Sequence, residues 1–234
     1  MTVRILNSKT ISNNTSADLV INLTGGNQPV AGRKLYVLTN TWNGVGVTVV
    51  DVTDNKSNAY SRKDNSTASS NTRAMIWGCD YSGTGDCSVT VDINNASGVY
   101  MTVSIIEVDD LITTENDTGA RGASQGNTSG VDPSATGAGN TAQANNLLLS
   151  TMGDVTGDST ANVTVPSGWT SIMTESNGAA NLVSGCAYKY ITAVETPTAQ
   201  WSIDDNADSW QCVIVALKQV TTDGPKKGLL MGVG

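Results

Sequence analysis

The sequence predicts an all-β fold, an antiparallel β-sandwich or jelly roll built from two tandem pseudo-repeats. Three observations carry that prediction. Val and Ile dominate the apolar positions, and Thr, Ser, Asn and Gly fill the rest. β-Branched side chains fit a pleated surface, while Gly, Asn and Ser supply turn geometry. Apolar residues alternate with polar ones at period two, and no long amphipathic helical pattern interrupts them. Finally, the chain repeats itself at an offset of about 110 residues. Gly78-Cys79-Asp80-Tyr81 returns as Gly185-Cys186-Ala187-Tyr188, Val91 and Ile93 as Trp201 and Ile203, and Tyr100 as Trp210. Val103 and Ile105 return as Val213 and Val215, Tyr60 as Trp169, and the Leu35–Leu38 run as Leu147–Leu149. The offset drifts between 107 and 112, as loops of unequal length would cause.

The elements follow in order. Ser16–Leu23 reads as a strand with Leu19, Ile21 and Leu23 on one face. Lys34–Trp42 carries Leu35-Tyr36-Val37-Leu38, apolar on both faces, so it is expected to be a central strand covered on each side. Val45–Val52, Ala59–Arg62, Arg73–Tyr81 and Ser88–Ile93 follow, and Tyr100–Val108 closes the first unit. The second unit is expected to use Asn146–Met152, Ala161–Val165, Thr170–Glu175, Leu182–Ile191, Ala199–Ile203 and Trp210–Lys218. Between them, 112–142 is rich in Gly, Ser, Thr and Asn and reads as a linker or an excursion over the surface. The resulting division is 1–111 for the first unit, 112–142 for the linker, 143–220 for the second unit and 221–234 for a tail. Each unit offers about six strands, which is marginal for an independent core, so the two are expected to share one sandwich body.

Composition excludes several functions. With 13 basic residues scattered among 21 acidic ones and a net charge of −8, no basic patch for nucleic acid is expected. The chain has no His, so neither a Ser-His-Asp nor a Cys-His arrangement is available. The carboxylates of Glu107, Asp109 and Asp110 read as a strand end leaving for solvent, and those of Asp204, Asp205 and Asp208 as a loop. Neither set has the spacing of a glycosidase pair or of an Asp-x-Asp-x-Asp-Gly calcium loop. No catalytic residue, metal ligand or cofactor site is therefore expected. No run approaches the length of a membrane span, and Met1-Thr2-Val3-Arg4 leads into a strand without a signal-peptide core.

Cysteine usage is sparse. Cys79 and Cys87 bracket a Gly-containing turn, so a bridge between them is geometrically open, and a buried thiol is the simpler alternative. The repeated aromatic positions favour packing over sugar stacking; Trp42 and Trp77, unmatched in the other unit, are the candidates for an exposed platform.

The order of these elements, and above all the closing stretch Trp201–Lys218, resembles jelly-roll modules of bacteriophage virion proteins and of some bacterial surface proteins. The resemblance spans 16–220 and is one of spacing. It implies a non-enzymatic structural part of a particle: a capsid decoration or cement protein, made in the host cytoplasm and located in the virion. Its partners would be the major capsid protein or another virion protein, and further copies of itself, a trimer among the allowed states. The alternative is a receptor- or glycan-binding module of a fibre or spike, and a polysaccharide-acting enzyme stands behind both. The tail joins Lys226 and Lys227 to Leu229, Leu230, Met231 and Val233, and reads as an anchor for the chain's own body or for a partner.

Overall fold

A computed structural model describes residues 2–14, 18–42, 48–66, 72–94, 99–109, 112–126, 132–156, 161–177, 182–204 and 207–219. Its regular structure is antiparallel β-sheet with two single-turn 3-10 segments, at Gly25–Asn27 and Thr118–Ala120. The first half supplies β1 (Val3–Asn14), β2 (Asp18–Leu23), β3 (Lys34–Trp42), β4 (Val49–Asp54), β5 (Ser61–Asn65), β6 (Thr72–Asp80), β7 (Cys87–Ile93) and β8 (Val99–Val108). The second half supplies β9 (Ile112–Asn116), β10 (Gly122–Gly126), β11 (Ser134–Thr136), β12 (Asn146–Thr156), β13 (Val163–Thr164), β14 (Thr170–Asn177), β15 (Leu182–Ile191), β16 (Thr198–Gln200), β17 (Ser202–Ile203) and β18 (Ala207–Gln219).

These strands form four layers. Sheet one runs β1-β8-β3-β6-β5, and sheet two runs β2-β7-β4. Sheet three runs β10-β18-β12-β15-β14, with β9 also pairing β18. The fourth layer is broken into two pairs, β11-β16 and β13-β17.

Three apolar seams join the layers. Leu35, Val37, Met75, Trp77, Val103 and Ile105 of sheet one meet Leu19, Ile21, Leu23, Val89 and Val91 of sheet two. Leu148, Met152, Val183, Cys212 and Ile214 of sheet three meet Ala135, Ala199, Trp201 and Ile203 of the fourth layer. Between sheets one and three lie Tyr36, Leu38, Ile76 and Ile106 against Leu147, Leu149, Met173, Val213 and Val215. Successive residues of β3 therefore enter different seams, which is why Leu35-Tyr36-Val37-Leu38 is apolar throughout and wholly buried.

This corrects the expectation of one shared two-sheet body. Each half closes its own core, and the halves then join through the outer faces of their largest sheets. The central strands of sheets one and three are buried on both faces, which supplies more apolar area than six strands covering a single seam would. It also corrects the linker. Residues 112–142 supply β9 and β10, which edge sheet three, and β11, which lies in the fourth layer. Glycine there serves close packing rather than looseness. A Cβ on Gly122 would lie 2.0 Å from the Thr136 carbonyl oxygen, and one on Gly137 would lie 2.7 Å from the Ala120 carbonyl oxygen. The expected strand Ala199–Ile203 is interrupted at Trp201, whose backbone N–H donates to the Pro133 carbonyl instead.

Candidate functional site

Two buried or half-buried carboxylates are engaged with the fold itself. Glu107, expected at a solvent exit, is fully buried. Its carboxylate accepts from Arg4 Nε at 3.0 Å, Arg4 at 3.1 Å, Arg33 at 2.7 Å and the Val30 N–H at 2.6 Å. Two guanidinium groups and a backbone donor fill its lone pairs, so it ties β1 and the loop before β3 to β8. Asp54 likewise accepts from the Lys56 and Asn58 N–H groups, from the Asn58 side chain and from the Tyr60 hydroxyl, and closes the β4–β5 turn.

The seam between sheets one and three has a polar centre. The Asn40 carboxamide donates to Thr151 at 2.8 Å and to Thr102 at 3.3 Å, and the Thr151 hydroxyl donates back at 3.2 Å. Thr151 Oγ1 also lies 3.2 Å from the Cys186 thiol. Asn40 and Thr151 are both fully buried. A Cβ on Gly153 would come within 3.0 Å of the Asn40 Cβ, so glycine there admits the carboxamide.

The candidate bridge is not formed: Cys79 and Cys87, like Cys186 and Cys212, are buried free thiols. Burial pushes the thiols of Cys79 and Cys212 up to about 12 and that of Cys186 up to about 11. Cys87 is raised for the same reason. At neutral pH all four are held protonated, the unreactive form. Cys79 faces the core of the first half, whereas Cys186 faces the seam between halves, although the sequence repeat aligns them.

Trp77 is 6% exposed in the first core, with the Arg62 guanidinium 5.9 Å from its ring centroid, so it offers no open platform. Trp42 is half-buried and packs on Tyr100 with centroids 5.1 Å apart. Trp169, Trp201 and Trp210 are all core residues. Asp204 is exposed and accepts from the Asn162 N–H and side chain. Asp110 and Asp205 lie outside the described residues, and nothing is described of the Asp208 side chain. No three acidic, Cys or His side chains among the described residues are grouped to hold a metal ion. The anchor residues Lys226, Lys227, Leu229, Leu230, Met231 and Val233 also lie outside the described residues.

Sequence reasoning missed two surface features. One is a mostly apolar recess of about 190 Å³ between Asn145, Asn146, Tyr190, Ile191, Thr192 and Gln219. It adjoins the edge-to-face pair of Tyr188 and Tyr190, whose centroids are 5.7 Å apart. The other is the outward face of sheet two, where Asp18, Asp92 and Asp51 fall in one register row. Neither leaves a local signature, because each depends on which strands become neighbours.

Among the described residues no helix is long and apolar enough to cross a membrane. No family model matches the chain, and neither a curated protein nor a solved structure matches it.

Proposed function

We propose that this chain is a non-enzymatic structural protein of a bacteriophage virion, a capsid decoration or cement protein acting through buried subunit interfaces. One observation carries the reading: the strand order of the first half recurs in the second. We read the sheets β1-β8-β3-β6 and β2-β7-β4 as jelly-roll connectivity, with β5 added at the edge of sheet one. Sheet order β10-β18-β12-β15-β14, with the pairs β11-β16 and β13-β17, supports reading the second half in the same order, with β9 added beside β18 and β16 and β17 together in the place of β7.

We read this as an internal duplication, with units at 1–111 and 112–220 related by a pseudo-twofold axis. Contacts between the halves support that reading, since they come in exchanged pairs: β6 with β18 and β8 with β15, β1 with β14 and β5 with β10. Such a block buries the faces of both large sheets and leaves edges and termini for neighbours, which suits an auxiliary shell protein better than a cleft-bearing enzyme. The partners on this reading are the major capsid protein or another virion protein, together with further copies of the chain.

Co-sedimentation with undecorated particles tests it, comparing the full chain with one ending at Val220. Pelleting of the full chain alone would identify the tail as the anchor. Failure of both to pellet would end the decoration reading. A second reading, a glycan-binding module, draws on the recess beside Tyr188 and Tyr190. Binding on a glycan array, lost on Tyr190→Ala, would favour it.

A further inference from the structure

We propose that β2 is a self-association edge, which pairs antiparallel with β2 of a second copy of this chain across a two-fold axis at Val20. An edge strand offers its unpaired main-chain donors and acceptors to any other strand, and a β-bulge blunts that offer by twisting and interrupting the row. The edge strands of this fold are finished in that way. An extra residue interrupts the register at Leu6 in β1, at Val50 in β4, at Lys63 in β5 and at Ile172 in β14. β9 loses register where it meets the end of β18. β10 is abutted by β11, because Gly122 lies against the Thr136 carbonyl. The strands of the fourth layer have three residues or fewer. β2 has none of these devices. Asp18 to Leu23 pair one for one with Asp92 to Cys87, without a shift, and among the described residues β2 pairs with β7 alone. Nor does its sequence, Asp18-Leu19-Val20-Ile21-Asn22-Leu23, carry the Lys or Pro that guards other edges. Val20, at its middle, is 50% exposed.

The edge is complementary to itself, which makes a second copy its occupant. Residues directly opposed in an antiparallel pair share a face. A two-fold axis at Val20 sets Val20 against its counterpart, Leu19 against Ile21 and Asp18 against Asn22. Exposed valine then meets exposed valine, and Leu19 and Ile21, which both face the first core, extend that core across the axis. No carboxylate faces its own copy. Asn22 Oδ1 accepts from the Ser88 hydroxyl at 2.7 Å, which leaves the carboxamide N–H₂ as its donor group on the acidic side of the pair. Six extended residues give a contact about 20 Å long, held by main-chain hydrogen bonds as in other strand additions. Because β7 occupies the other side of β2 in each copy, the pairing closes at two copies and does not propagate. The contact gives the further copies in the function proposed above a place to bind. It needs no particle, so failure to pellet with particles and failure to self-associate are separate results.

The test is sedimentation equilibrium of the full chain at concentrations up to about 1 mM. The expected result is a reversible monomer–dimer equilibrium. Val20→Lys sets two cations opposite each other at the axis and should raise the dissociation constant by about tenfold or more, whereas Val20→Ile should keep the dimer. An unchanged thermal midpoint checks that Val20→Lys is folded. A second measurement reads the register. The four natural cysteines are buried, so Val20→Cys supplies an accessible thiol, and the axis brings it within disulfide reach of its counterpart. Mild oxidation should trap that variant as a covalent dimer. Val194→Cys, at a position 53% exposed in the second half, should stay uncrosslinked under the same conditions. A full chain that is monomeric throughout overturns the proposal. So does a dimer that Val20→Lys leaves intact, or one in which Val194→Cys crosslinks as readily as Val20→Cys.

Discussion

The two halves cover their large sheets in different ways. Over sheet one lies a continuous three-stranded sheet whose β7 sends Cys87, Val89, Val91 and Ile93 inward at every second residue. Over sheet three lie four short strands in two pairs, and the place corresponding to β7 is broken at Trp201. Trp201 is fully buried, its indole N–H donates to Ser150 at 3.2 Å, and its ring lies over Gly185, where a Cβ would come within 2.3 Å. Ala135, Ala161 and Ala199 belong to the same core cluster. The first half spreads its core over many β-branched side chains. The second builds it on three indoles, Trp169, Trp201 and Trp210, with several alanines among them. A core can thus lose sheet continuity if large side chains fill the volume that the missing strand contacts would have occupied.

That contrast predicts unequal sensitivity to truncation. Trp201→Ala should cost about 3–5 kcal/mol, and more than Ile93→Ala in the first half. Urea midpoints of the two variants check this, and equal costs would mean that the alanines can collapse around the lost ring. Glu107 gives the first half a concentrated dependence of its own. Glu107→Ala should cost about 1–3 kcal/mol, since it leaves the Val30 N–H and two part-exposed guanidinium groups without their acceptor. Hydrogen exchange should show the loss first in β1, where Leu6 is the only fully buried apolar side chain among the described residues Val3–Lys9.

Gly122→Ala comes next. The Cβ would meet the Thr136 carbonyl oxygen, and overpacking of this kind costs about 1–3 kcal/mol. Its thermal midpoint should fall well below that of Gly25→Ser, whose position opens to solvent although its φ of 58° strains any side chain. At the joint between halves, a double-mutant cycle on Asn40→Ala and Thr151→Ala should show coupling of about 0.5–3 kcal/mol, because the two side chains hydrogen-bond reciprocally. Simple additivity would leave the polar centre without a pinning role.

The smallest effect concerns Asp64, on the edge strand β5. Burial raises its carboxyl above the ordinary range, against the opposing pull of the Asn65 N–H, Arg121 and Arg62. Its folded form therefore holds a proton more tightly than the unfolded chain. Stability conferred by that group is present below the unfolded value and is lost as pH rises through the folded one. Asp64→Asn should remove this component and raise the thermal midpoint at neutral pH, by less than about 1 kcal/mol because the group is partly solvated.

Much of the first half is legible in the sequence. Period-two alternation in Ser88–Ile93 yields β7, and the doubly apolar run in Lys34–Trp42 yields a strand buried on both faces. The second half is harder to read because its covering layer lacks such runs. β13 and β17 have two residues each, and the glycines of 112–142 look like flexibility when they permit backbones to touch. The proposed repeat, as aligned in the sequence, slips at the level of residues. Aligning Cys79 with Cys186 places them in different seams, whereas residues 111 apart in β3 and β12 face the same way: Tyr36 with Leu147, Leu38 with Leu149. A one-residue error in register turns every side chain to the opposite face.

The sequence by itself determined the secondary-structure class, the central place of β3 and the absence of a histidine-based mechanism, because propensity, alternation and composition are local properties. Only the tertiary structure decided that each half closes its own core, that Asn40 meets Thr151 at the joint, that Glu107 is clamped by two arginines, and that three aspartates share a row. Those facts depend on which strands become neighbours, and that choice is made by burying sheet faces far apart in the chain, where no local pattern records it.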